Sequence, residues 1–264
     1  MILLIEMVIG HNPLAMLREK IAGILVLLFL VSSSCGKKEL NQEHQVQKRE
    51  YKSSACGLRF VRVPAGSVTL RGDDLKPTTV TLRNFYISET EVTNEQFETL
   101  ISHPRPRDSN LDDSPASCIT INDIQTFLKE LSKKDKRDYR LPTDAEWEFA
   151  ASGGLSNKLY PWGDGDATGK SRFAKASAGP VKEFAPNNFG LYGCVGNVEE
   201  LLFVEYKSGL PWKPVQPSEN LMLVARGGHY ASWLNTVLTR VPTPANLLQE
   251  LPHVGIRLVF YEKK

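Results

Sequence analysis

From Leu58 the chain alternates in hydropathy, reading LRFVRVPAGSVTLRG and then, from Thr78, TTVTLRNFYISETEV. Phe60, Val68, Leu70, Val80, Leu82 and Phe85 take the apolar positions, and Gly and Pro punctuate the runs. This pattern predicts short, half-buried strands joined by turns. The period changes at Thr93, where T-N-E-Q forms a capping box ahead of Phe97, Leu100 and Ile101 at helical spacing. A second helix over about Asn122–Lys133 places Ile124, Phe127, Leu128 and Leu131 on one face. Thr143 opens a third through T-D-A-E, after Pro142 and ahead of Trp147 and Ala150. Beyond Gly153 the chain is rich in Gly, Pro, Asn and aromatics, with no long periodic segment and no repeat. Short strands threaded through ordered loops fit that composition, and the fold class is α+β.

The N-terminal pattern is of another kind. Met16-Leu-Arg-Glu-Lys20 is a positively charged opening, Ile21–Val31 is an apolar run of eleven residues, and three serines precede Cys35. Eleven residues are too few to span a bilayer and match the apolar core of a signal peptide. Small residues before a cysteine resemble a bacterial lipobox, with Cys35 acylated, although Ser32 stands where that pattern prefers Leu. A plain secretory signal cut near Ser34 is the alternative, and Met16 is a second candidate start. Residues Gly36–Ser54 are polar and cannot bury enough surface to order themselves, which predicts a flexible tether. The expected organisation is a signal region over 1–35, a tether over 36–57 and a domain over 58–264. The expected address is the cell envelope, on its periplasmic or surface side, with the membrane held through the lipid.

Charge narrows the partners. A net charge of +2 over 264 residues gives no concentrated basic face, so nucleic acid is not expected. The densest basic run, Lys133–Arg140, reads as a solvated helix end favoured by the dipole. Cys56, Cys118 and Cys194 remain in the mature body, and an oxidising compartment permits one disulfide plus an odd thiol. The sequence does not choose the pair.

An ordered series of motifs follows: YRLPTDAEWEFAASGG from Tyr139, YPWGD at Tyr160–Asp164, PNNFGLYGCVGNVEE at Pro186–Glu200, RGGHY at Arg226–Tyr230 and VGIRLVF at Val254–Phe260. Together they resemble the formylglycine-generating enzyme, or sulfatase-modifying factor, family over roughly Leu58 to Tyr261. The resemblance implies a C-type-lectin-like α+β fold with a cleft built by the C-terminal loops. It also implies an oxidase chemistry in which two thiolates bind copper(I) and a sulfatase cysteine becomes formylglycine. Counted from Gly227-Gly228, the two thiol positions fall on Ser232 and Val237, and neither supplies the soft donor that copper(I) needs. Met222 and Cys194 are the other sulfurs in this half, the latter in a different loop. Copper is therefore not expected, no catalytic residue is assigned, and no cofactor is required. Where the family commonly reads GNVWEW, this chain has Gly196-Asn197-Val198-Glu199-Glu200-Leu201 and loses both tryptophans.

The resemblance also implies calcium around GLYGCVGNVEE, for which Gly196, Val198 and Glu200 are the candidates. Gly193 stands where the family usually carries Asp or Asn, so one side-chain oxygen is missing. Asp164–Ser171, DGDATGKS, imitates a phosphate loop and a calcium loop, but its glycines are misplaced for the first. For the second, Lys175 fills the twelfth position that needs a bidentate Glu. Glu146 and Glu148 are i and i+2 on a helix and so form no acid–base dyad, and Trp147 and Phe149 read as core. His103, His229 and His253 lie in the body, and His44 in the tether. His229 stands where the family usually has Ser, which places it at the cleft as a lone histidine.

His229, Tyr230, Ser232, Trp233 and Asn235 are left as a recognition surface, with aromatic contact area and hydrogen-bonding groups. The function expected is a non-catalytic binding or scaffolding module in the envelope, its partner an envelope protein or a glycan. The alternatives are a formylglycine-generating oxidoreductase working without the usual thiols, and an accessory subunit of an envelope enzyme.

Overall fold

The structure is a computed structural model that describes residues 50–71, 77–102, 111–156, 158–205, 222–233, 243–246 and 253–262. These belong to one unit spanning Arg49–Lys264. The expected signal region, Cys35 and most of the tether lie outside the described residues.

The alternating segments become β1 (Tyr51–Lys52), β2 (Arg59–Val63), β3 (Gly66–Arg71), β4 (Pro77–Leu82) and β5 (Phe85–Ser88). β3 and β4 form a two-stranded hairpin, with Val68 opposite Val80 and Gly66 opposite Leu82. β1, β2 and β5 lie in a second, antiparallel sheet, closed by β10 (Val259–Phe260). The last strand thus pairs Val259 with Ile87 and ties the C-terminal end of the domain to its start. Tyr51 pairs with Phe60, so ordered structure starts ahead of the expected Leu58 boundary.

Three helices follow the same rule at their N-termini. α1 (Asn94–Glu98), α2 (Ile121–Asp135) and α3 (Asp144–Ala151) each start behind a threonine whose hydroxyl accepts an N3 backbone N–H. The N3 side chain, Gln96, Asp123 or Glu146, bonds back to the threonine N–H, completing a reciprocal cap. α2 ends at Lys136 in the left-handed conformation, so only the first part of the basic run is helical. Arg137 instead lies 4.2 Å from the Tyr51 ring centroid, and Arg140 pairs with Glu146. Asp135 at the helix end accepts from Ser54 Oγ, Ala55 N and Tyr139 Oη, pinning the entering chain.

From Gly154 to Val198 no helix or strand occurs among the described residues, as the loss of periodicity predicts. β6 (Glu199–Glu205) then pairs antiparallel with β7 (Met222–Arg226) and parallel with β9 (Val254–Gly255), while β8 (Thr243–Asn246) flanks β7. Among the described residues two large apolar cores result, beside a small cluster of Ala178, Val198 and Tyr230. One packs Phe60, Phe97, Phe127, Leu131, Leu258 and Phe260; the other packs Phe85, Ile87, Trp147, Leu202 and Val224. Trp147 is thus core, as its helical position predicts. No disulfide joins Cys56, Cys118 or Cys194, so the bridge that the compartment would permit is not formed.

Candidate functional site

The loops after α3 are organised from their floor upward. Asn187 donates from its amide to Ala150 O and Ala151 O at the end of α3, and its Oδ1 accepts from Phe189 N and Leu191 N. One side chain therefore caps a helix and folds a turn together. Asn197, at φ 62°, sits in the left-handed region that asparagine tolerates better than most residues. Its Nδ2 donates to Glu91 Oε1 at 2.9 Å, and its Oδ1 accepts from Gly179 N.

Beneath this loop lies a buried charge cluster. Arg257, fully buried, donates from Nε to Glu200 Oε2 at 2.8 Å and from Nη2 to Glu200 Oε1 at 2.7 Å. Its remaining donors reach Ser88 O and Tyr192 O. Trp147 Nε1 donates to Glu200 Oε2 at 2.6 Å. Glu91 is the second carboxyl, with Oε2 3.9 Å from Arg257. Burial pushes its pKa up to about 8, against the Arg257 charge, with Glu200 adding repulsion. One guanidinium thus neutralises Glu200 while Glu91 is held as the acid at neutral pH. Burial likewise pushes the Cys194 thiol up to about 12, which keeps it from becoming a thiolate.

A parallel arrangement holds α3. Arg226 Nη2 donates to Glu148 Oε2 at 2.9 Å, and its Nε stands 2.8 Å from Asp144 Oδ1 in a close ion pair without a linear hydrogen bond. Glu146 turns elsewhere, accepting from Arg140 Nη1 and Nη2 and from Tyr261 Oη. Glu146 and Glu148 serve different arginines, in keeping with their i, i+2 spacing.

One member of the expected calcium set, Glu200, is already engaged. Both oxygens of the Glu200 carboxylate are taken by Arg257 and Trp147. Gly196 and Val198 have only main-chain oxygens to offer an ion, the Val198 side chain being packed against Ala178 and Tyr230. A Cβ at Gly193 would run into the Glu91 carboxyl, so a side chain there would require Glu91 to shift. Among the described residues no three His, Cys, Asp or Glu groups converge as a metal site. The imitation loop is turn chemistry: Asp164 pairs with Lys158, and Asp166 accepts from Thr168 N and Oγ1.

Over the floor runs Arg226-Gly227-Gly228. Gly227, at φ 94°, leaves its carbonyl to Gly196 N and has Cys194 O where a Cβ would stand, so glycine is required. The recognition loop then turns outward. Ser232 Oγ accepts from His229 N at 3.1 Å and Ser232 N donates to His229 O, closing a tight turn. Tyr230 N donates to Asn197 O, while Lys175 N and Ala174 N donate to Tyr230 O and Ser232 O. Tyr230 is buried and Trp233 is 76% exposed. The structure therefore brings His229, Tyr230, Ser232 and Trp233 together but divides them, with Tyr230 buried as an anchor and Trp233 largely exposed. Asn235 and Val237, like His103, lie outside the described residues. Ser232, the first thiol position, presents only a hard oxygen already used by the turn, so it does not fit copper(I).

His229 is not alone, as its sequence setting suggested. The His253 ring stacks on it at 4.2 Å between centroids and 27° between planes. Burial, then the neighbouring His253, pushes the His229 pKa down to about 4, and burial lowers that of His253. Separately, a cavity of about 270 Å³ opens beside the floor, lined by Trp162, Lys170, Arg172, Phe184, Asn188 and Cys194 among others. None of His229, Tyr230, Ser232 or Trp233 lines it. Glu91, Asn197, Arg226, Arg257 and His253 are the organising residues that sequence reasoning did not assign. Their signal lay in the motifs TEVTN, GNVEE, RGG and VGIR, but partners so far apart in sequence carry no spacing rule.

Comparison with known proteins bears on the whole domain. The sulfatase-modifying factor enzyme 1-like domain matches residues 45–261. The chain is 31% identical over 199 residues to "Serine/threonine-protein kinase pkn1" of Chlamydia pneumoniae, covering 63% of this chain and 31% of that protein. It is 31% identical to the "Formylglycine-generating enzyme" of Mus musculus, covering 48% of this chain and 39% of that protein. It is 40% identical to the "Inactive C-alpha-formylglycine-generating enzyme 2" of the same organism, covering 38% of this chain and 33% of that protein. The chain thus spans about a third of the length of these relatives. Among solved structures, it is similar in fold to Treponema denticola variable protein 1, with a TM-score of 0.67 at 20% identity, covering 82% of this chain and 99% of that one. PvdO from Pseudomonas aeruginosa gives 0.68 at 22% identity, covering 81% and 98%.

Proposed function

The chain belongs to the sulfatase-modifying factor enzyme 1-like family, and on that premise we propose that it is a non-catalytic binding module of the bacterial cell envelope, anchored by a lipid on Cys35. The observation that carries this reading is the chemistry of the loop after Arg226-Gly-Gly. Where copper(I) chemistry needs a thiolate, Ser232 offers an oxygen that shapes a turn. The same turn holds Trp233 out in solvent, on a backbone anchored by Tyr230 to Asn197. An exposed indole beside a hydrogen-bonded turn suits recognition, because it offers a large contact area on few rotatable bonds. The partner is an envelope protein or a glycan, held by aromatic contact rather than by charge.

Site-specific photo-crosslinking in the native envelope tests this. A photoreactive phenylalanine at position 233 gives a discrete adduct, while the same group at Leu111, which is 54% exposed on another loop, does not. Equal labelling from both positions sinks the proposal. Cys35→Ser releases the protein from the membrane fraction if the anchor is real. Similarity to the formylglycine-generating enzyme supports the oxidoreductase alternative, and formation of an aldehyde on a sulfatase peptide by the purified chain would establish it in place of this reading.

A further inference from the structure

We propose that the cavity beside the floor is a binding site for one carboxylated sugar ring, a hexuronic acid, distinct from the recognition loop at Trp233. Its lining residues fall between Pro161 and Asn197, and the turn from His229 to Trp233 contributes none of them. The base is buried, at Leu191, Cys194 and Val195, and the rim is exposed, at Lys170 and Asn188. A volume of about 270 Å³ lies just below the range of pockets that enclose drug-sized molecules, which suits a single ring.

The aromatic part of the wall is set before any ligand arrives. Trp162 stands in a closed turn, in which Tyr160 N donates to Gly163 O and Gly163 N to Tyr160 O. Pro161 fixes its own φ within that turn. The Trp162 ring stacks on Tyr160 at 4.9 Å between centroids and 7° between planes, and its Nε1 reaches Gly165 O at 3.4 Å. The indole therefore lines the cavity with its orientation already held, and a ring packing on it orders little that was free. Another part of the wall is tied across. Arg172 Nη1 donates to both carboxylate oxygens of Glu183, and Arg172 Nε donates to Ser177 O.

Charge selects the ligand class. Arg172 and Glu183 cancel each other, so among the lining residues Lys170 carries the one uncompensated charge. Asp166, outside the lining, lies within electrostatic reach of Lys170 but is bonded to Thr168 N and Oγ1. Among the described residues no hydrogen bond or ion pair commits the Lys170 ammonium or the Asn188 carboxamide. The carboxamide supplies both donors and an acceptor. A hexuronic acid meets all three groups: its carboxylate the ammonium, its hydroxyls the carboxamide, and its C–H face the indole. A neutral hexose leaves the ammonium unused, and an aromatic acid leaves the carboxamide unused.

Titration of the full chain in detergent with D-glucuronate, followed by saturation-transfer NMR, is expected to give a dissociation constant of about 1 mM. Glucose and benzoate are expected to bind about fivefold more weakly. Lys170→Gln removes the preference for glucuronate over glucose, and Trp162→Leu weakens both sugars about tenfold. Trp233→Ala leaves these affinities unchanged. Lys170 is exposed, so its variant carries the comparison if Trp162→Leu fails to fold. The proposal is overturned if the wild type does not bind glucuronate, if benzoate binds as tightly, or if the preference survives Lys170→Gln. Loss of glucuronate binding in Trp233→Ala also overturns it, by placing the sugar at the recognition loop. Crosslinking at position 233 is a separate readout, so the two readings fail separately.

Discussion

The buried cluster around Arg257 and the exposed turn from His229 to Trp233 lie close along the same loops, yet they are built on opposite principles. In the cluster every strong donor of a fully buried arginine is met, by Glu200, Ser88 O and Tyr192 O. In the turn, backbone bonds fix the main chain while the indole of Trp233 is left 76% exposed. The contrast teaches that buried motif residues such as Arg257 and Glu200 are spent on holding loops that lack regular secondary structure. On the proposed reading, recognition falls to the few side chains those loops then present.

The largest expected effect comes from breaking the cluster. Arg257→Met strands Glu200 without its counter-ion, and the cost is about 3–5 kcal/mol of stability, read from urea unfolding of the domain. A change below about 1 kcal/mol would show that the arginine is not the structural hub. Trp147→Phe retains the ring in the second core but removes the 2.6 Å bond to Glu200 Oε2. It should cost about 1–3 kcal/mol by the same assay, since a buried charged acceptor loses one donor.

Glu91 sharpens the comparison through pH. Its folded pKa of about 8 lies above the ordinary 4.5, so its contribution is fully present below 4.5 and is lost as pH rises through about 8. His229 acts in the opposite sense. Its folded pKa of about 4 lies below the ordinary 6.5, so acidification from 6.5 towards 4 favours the unfolded chain. Glu91→Gln keeps an acceptor for Asn197 and should change stability by less than about 1 kcal/mol at pH 7, because the native group is already uncharged. Urea midpoints measured at pH 5, 6.5 and 8 should fall towards pH 8 in the wild type and lose that fall in the variant. A retained slope would assign the titration elsewhere.

The smallest effect on stability belongs to the turn. Trp233→Ala should shift unfolding by no more than about 0.5 kcal/mol, as for a largely exposed side chain. Partner binding should nonetheless fall, and a variant that keeps full binding would remove Trp233 from the recognition surface.

Local patterning alone determined the helix starts, the alternating strands before Ser88 and the loop-rich stretch after Gly153. Each depends on residues within a few positions of one another, such as Thr143 with Glu146 or Thr93 with Gln96. It also determined that Ser232 brings no sulfur to the loop after Arg226-Gly-Gly, because donor chemistry is fixed by residue type. Tertiary structure decided the rest. Glu200, readable as a calcium candidate, became the partner of Arg257, 57 residues away. His229, readable as solitary, acquired His253. The physical reason is common to both: ion pairing and ring stacking depend on distance in space, and in a domain held by loops that distance has no period along the chain.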